Sequence, residues 1–177
     1  MRLSPILTIA PAVLMFSACS SLVSVNGFAP DSMLVQNSAL PGIWADRETM
    51  FIIKAKDRAY SITMIDKDKT SQATSFSAQL IRAGSAEILD LVPAGDDDPF
   101  RLPTHTPVRI WVDERTLKFA WLDSPWLREN ARKQLALQDV GDRVLITAPG
   151  EALMKFLLLN GGDDRAYEGS PNVLERQ

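Results

Sequence analysis

The chain has 177 residues, 46% of them hydrophobic, with 19 basic and 22 acidic side chains, a formal net charge of -3, one cysteine and one histidine. That length suits a single domain with its own core, and the lack of a basic patch or a run of Lys and Arg excludes the electrostatic footprint of a nucleic-acid binder. A lone cysteine rules out an intramolecular disulfide, and a lone histidine argues against a usual zinc site.

The first eighteen residues carry one positive charge, Arg2, then an apolar run from Leu3 to Phe16, then small residues. The run falls short of the ~20 apolar residues that cross a bilayer as a helix, so residues 1–18 read as a secretory signal. The segment Phe16-Ser17-Ala18-Cys19 resembles the lipobox of bacterial lipoproteins, with Phe16 where Leu, Val or Ile is usual. What the resemblance implies is lipidation of Cys19 by acyl chains such as palmitate, and a new N-terminus there. Ser20 after the cysteine, by the same resemblance, directs the protein to the outer membrane, facing the periplasm. Removal of residues 1–18 takes away Arg2 and leaves 159 residues with 18 basic and 22 acidic side chains, a net charge of -4. Residues 19–40 are rich in Ser, Asn and small residues without a sustained period. They are expected to form a tether, with a coil of ~20 residues reaching roughly 25 Å.

The stretch from Gly42 to Asp123 reads as one meander of short strands. Phe51, Ile53 and Ala55 alternate with Lys54 and Lys56; Tyr60, Ile62 and Met64 with Ser61 and Thr63; Thr74, Phe76, Ala78 and Leu80 with Ser75, Ser77 and Gln79. A run from Glu87 to Val92 ends at Pro93. Val108, Ile110 and Val112 then alternate with Arg109, Trp111 and Asp113, and Leu117, Phe119 and Trp121 with Lys118 and Ala120. A period of two predicts strands with one wet and one buried face in an antiparallel sheet. Six such strands twist until they close or are covered, so a curled, partly open barrel is expected. Its interior would hold Trp44, Phe51, Tyr60, Ile62, Phe76, Val108, Ile110, Phe119 and Trp121. The entry Gly42-Ile43-Trp44 resembles the Gly-x-Trp opening of lipocalins and related small barrels, which implies a tryptophan plugging one end.

Between the fourth and fifth runs, Pro93 to Pro107 is an irregular loop with the acidic cluster Asp96, Asp97 and Asp98. Loops of this length inside a domain are often functional, and this one is placed to act as a lid. The cluster lacks the glycine and distal glutamate of a regular calcium loop, so no metal ligands are assigned. His105 ends the loop and, with the three aspartates, is the best enzyme candidate. Without a Gly-x-Ser-x-Gly elbow or a His-Glu-x-x-His helix, no catalytic residue and no cofactor is assigned, and the expectation is that the protein is not an enzyme.

Beyond the meander the period changes. Ser124-Pro125 reads as a hydroxyl-capped helix start, followed by Trp126, Leu127, Ala131 and Leu135 at helical spacing. Val144 to Ile146 suggests a short strand. Thr147-Ala148-Pro149 opens a second helix that Asn160-Gly161-Gly162 ends. The chain is therefore expected to be α+β: a signal over 1–18, a tether over 19–40, an antiparallel β-meander curled into a lipocalin-like or partly open barrel with two C-terminal helices packed on it over 41–167, and a loose tail over 168–177. As a whole it resembles small bacterial lipoproteins with such an entry, meander and helices. The resemblance implies an accessory or interaction role in the cell envelope, with a membrane reached through the lipid anchor and an envelope protein as partner. The alternative is a lipocalin-like binder of a small apolar molecule or lipid.

Overall fold

The structure, a computed structural model, describes residues 22–68, 73–95, 102–141 and 143–177, so Cys19, Asp96, Asp97 and Asp98 lie outside the described residues. The first element, β1 (Leu22–Ser24), belongs to a small side sheet. Seven strands then follow in a meander: β2 (Gly42–Ala45), β3 (Thr49–Lys56), β4 (Ala59–Asp66), β5 (Ala73–Ala83), β6 (Ala86–Ala94), β7 (Thr106–Val112) and β8 (Thr116–Trp121). After them come α1 (Ser124–Asn130), β9 (Leu137–Val140), β10 (Arg143–Ile146), α2 (Gly150–Asn160) and β11 (Asn172–Arg176). The meander closes into an eight-stranded antiparallel barrel because β11 fits between β8 and β2.

Turn chemistry fixes the register. β3 and β4 pair down to Lys56↔Ala59, leaving only Asp57 and Arg58 to reverse the chain. Asp57 takes the positive φ of 53° that the tight hairpin turns require. At the β7–β8 turn on that side of the barrel, Asp113 accepts hydrogen bonds from the backbone N–H groups of Arg115 and Thr116 and from the Thr116 hydroxyl. Those bonds, Thr116 foremost, hold its carboxyl down at about 2.

The barrel interior follows the alternation. Trp44, Tyr60, Ile62, Val108 and Ile110 are buried there, and Phe51, Phe76, Phe119 and Trp121 are half-buried against the same cluster. A second core lies outside the barrel wall, where the two C-terminal helices pack on it as expected. β5 and β6 are apolar on both faces: Leu80 and Leu89 point inward, while Ile81 and Ile88 join the outer cluster. The rule of one wet face per strand fails here, and the adjacent pairs Leu80-Ile81 and Ile88-Leu89 carry the two-sided pattern of a covered strand. α1, α2 and a three-stranded sheet in the order β1-β10-β9 supply the cover.

Three expectations are corrected. Residues 22–40 are no tether: β1 pairs in parallel with β10, and Leu22, Phe28 and Leu40 are at most 4% exposed. Single apolar anchors on an irregular backbone leave no period to read. The tail over 168–177 is not loose either, since β11 bonds to two strands and buries Leu174 at 1% exposure. Only Val173 and Leu174 are apolar there, so the strand is short and its composition polar. The helix cap is Asp123, whose carboxylate accepts from Trp126 N at 2.6 Å, with Ser124 buried as the first helical residue. α1 ends at Asn130, and Ala131 and Leu135 are buried in the turns that follow.

Candidate functional site

One end of the barrel is sealed. Trp44 is fully buried and donates from Nε1 to the Leu40 carbonyl at 2.8 Å. The guanidinium of Arg176, on β11, lies 4.1 Å from the Trp44 ring centroid, a cation–π contact. Arg176 also donates to the carbonyls of Glu114, Pro41 and Ala39, tying together three segments of this rim. The approach explains Gly42, because a Cβ there would stand 2.5 Å from Arg176 Nη1, on a backbone with φ of +154°. The Gly-x-Trp entry thus performs the plugging role that its resemblance implied, and the eight-stranded antiparallel barrel is consistent with a lipocalin-like one.

The other end is apolar and partly open. Phe51 and Phe76 stand near the starts of β3 and β5, and Met64 and Trp121 near the ends of β4 and β8, so antiparallel pairing brings them to one rim. With Phe119 they surround a cavity of about 60 Å³ whose walls are entirely hydrophobic side chains. Phe119 meets Phe51 and Trp121 edge to face, each at 5.8 Å between centroids, the packing that aromatic quadrupoles favour. β6 ends and β7 begins on this side of the barrel, and residues 96–101 of the loop expected to act as a lid lie outside the described residues.

His105 is drawn away from that mouth. Its Nδ1 lies 2.9 and 3.0 Å from the two carboxylate oxygens of Asp90, which is 3% exposed on the outer wall of β6. Burial pushes the Asp90 carboxyl above its ordinary range, against the opposing pull of His105 and the Phe28 backbone N–H. The backbone of His105 exchanges two hydrogen bonds with Ser24, at 2.7 and 2.8 Å. Ser24 turns its hydroxyl to the Asn26 carbonyl at 2.8 Å rather than to the imidazole. The pair therefore clasps the segment after β1 to the barrel wall, and Asp96 to Asp98 lie outside the described residues. Among the described residues there is also no cluster of three or more metal-ligating side chains.

Sequence reasoning missed a groove of about 600 Å³ on the outer wall of β7 and β8. Arg109 is its floor, 8% exposed, with its guanidinium 4.4 Å from the Trp111 ring and 5.1 Å from that of Tyr167. Arg109 Nη1 donates to Asp164 at 2.9 Å, and its buried Nε has no partner among the described residues. Burial pushes the Tyr167 hydroxyl up to about 12, and that hydroxyl donates to the Gly161 carbonyl at 3.0 Å. Alternation placed Arg109 and Trp111 correctly on the outer face. Nothing local announced that the segment around Tyr167 would fold over them.

Comparison with protein-family models, with curated proteins and with solved structures finds no match to this chain.

Proposed function

We propose that this barrel is the body of a lipid-anchored accessory protein of the cell envelope, facing the periplasm and acting by docking to an envelope protein. The observation that carries this reading is the filled interior. Ligand pockets run roughly 300 to 1,000 Å³, and the space inside the barrel is about 60 Å³. A wall buried on both faces by two cores is a rigid platform, which suits presentation of an outer surface better than enclosure of a cargo. The anchor rests on Cys19 and the Ser-Ala-Cys junction.

A second reading has its own support. The mouth formed by Phe51, Met64, Phe76, Phe119 and Trp121 is wholly apolar and half-buried, the chemistry of a site for the end of an alkyl or acyl chain. A fatty acid, or an environment-sensitive apolar dye, titrated against the soluble chain lacking residues 1–19 separates the two readings. Docking predicts no saturable signal. Saturable micromolar binding at one site, weakened by Phe119→Asp with the fold retained, overturns it in favour of the apolar ligand. Cys19→Ala tests the anchor separately: fatty-acid labelling is expected to disappear and the protein to move to the soluble periplasmic fraction, whereas unchanged labelling refutes lipidation at this residue.

A further inference from the structure

The place where the chain enters the body constrains how it would sit on a membrane. β1 runs parallel to β10, with Leu22 beside Val144. The start of β1 therefore lies at the same end of this side sheet as the β9–β10 turn. Val140 and Arg143 pair across that turn, so the turn projects past Leu22 by one residue, roughly 3.3 Å. Residues 20 and 21 alone separate Leu22 from Cys19, and three residue steps span at most roughly 11 Å when fully extended. An anchor at Cys19 would hold the start of β1 within about that distance of the lipid headgroups, with the turn beside it.

The turn has side chains suited to that position. Val140, the last residue of β9 before the turn, is 54% exposed, and Arg143 paired opposite it is exposed as well. Arg132, also exposed, reaches Asp139 beside Val140 at 2.6 Å, and Arg128 reaches the same carboxylate at 2.7 Å. Those two arginines neutralise Asp139; Asp142, in the turn itself, lies outside the described residues. Between residues 128 and 143 the sequence holds four basic residues and three acidic ones, a net charge of +1, so the remainder of the chain after residue 18 carries -5. Anionic lipid attracts the first region and repels the rest.

From this geometry we infer that the β9–β10 turn, with Val140, Arg143 and Arg132, is the membrane-facing surface of this protein. The inference rests on the reading of Cys19 as the lipid anchor. Val140 enters the headgroup layer while the guanidinium groups pair with lipid phosphates, the geometry for which arginine is suited. The barrel is thereby seated in one orientation and does not swing on a tether.

The test uses the chain from Cys19 onward, which contains every described element, joined through the Cys19 thiol to a maleimide lipid in vesicles of phosphatidylethanolamine and phosphatidylglycerol. Amide hydrogen exchange is compared with that of the thiol-capped chain mixed with the same vesicles. Exchange over residues 137–144 is expected to slow by about threefold or more. Residues 49–56 of β3, four strands around the barrel from β7, should be unaffected. Val140→Glu combined with Arg143→Glu should remove the protection while the circular dichroism spectrum stays the same. Absence of protection over 137–144, or equal protection of β3, overturns the inference. Acylation is scored apart from this, by fatty-acid incorporation at Cys19 in cells. If labelling fails and the turn is protected, the anchor reading falls and the surface stands; labelled protein with an unprotected turn has the opposite meaning.

Discussion

Leu174→Ala and Val173→Ala, neighbours in β11, test whether residues 172–176 truly close the barrel. Leu174 is 1% exposed, pairs with Leu117 of β8 and belongs to the interior cluster, whereas Val173 points outward at 49% exposure. Truncating Leu174 removes three buried carbon groups at ~0.8 kcal/mol each, about 2.4 kcal/mol. A residual void of roughly 40 Å³ at ~24 cal/mol per Å³ adds about 1 kcal/mol. The expected loss is therefore about 3 kcal/mol, which for a domain of this size lowers Tm by roughly 6 to 12 °C. Val173→Ala removes little buried surface and should cost under about 1 kcal/mol. Urea unfolding of the soluble chain without residues 1–19, followed by tryptophan fluorescence, measures both. Equal effects from the two variants, or a loss below about 1 kcal/mol for Leu174→Ala, would show that this segment does not pair as an inward-outward strand and would refute closure by β11.

Gly150→Ala should dislodge the segment after β1, because a Cβ there would stand 1.9 Å from the Gly27 carbonyl oxygen; limited proteolysis should then cut within residues 22–40, which the wild type protects. Deleting residues 22–40 outright strips Leu22 and Phe28 from the outer core and Leu40 from the inner one, and is expected to abolish cooperative thermal melting. Arg176→Ala loses its stacking on Trp44 and its three carbonyl bonds, and should cost about 1 to 3 kcal/mol with a shift in tryptophan emission. Tyr167 has a folded-state pKa of about 12 against an ordinary 10, so the stability it contributes is complete below pH 10 and lost as pH rises from 10 through 12. Tyr167→Phe should flatten the alkaline end of the stability curve, and a phenolate of Tyr167 that titrates at its ordinary value in the folded protein would contradict the burial.

The meander was legible because its strands alternate cleanly: Tyr60, Ile62 and Met64 share a face, and the charged Asp57-Arg58 turn sits where the register demands. The entry Trp44 was legible for the same local reason. What escaped were features that exist only through distant partners. β1 is three residues long and finds its edge at β10, more than a hundred residues later. β11 has two apolar residues and becomes a strand because two open edges await it. Arg109 reads as a solvated residue on a wet face until Trp111 and Tyr167 enclose its guanidinium. His105 could not be matched to Asp90 from sequence, since it lies fifteen positions later, beyond a loop, and the pairing is made across the wall from β6 to the start of β7.

Closure by β11 also sets the order in which this protein can fold. The hairpins from β2 to β8 join neighbours in sequence and can form early, but Glu175 must find Ala45 across 130 residues of chain before the ring exists. Long-range pairing of this kind slows folding toward the millisecond-to-second range. Until it happens, β2 and β8 each present an unpaired edge, the form of sheet most prone to join another molecule. The terminal residues thus act as a latch against aggregation, and the copies most exposed to mispairing are those whose residues 172–176 are missing, masked or delayed.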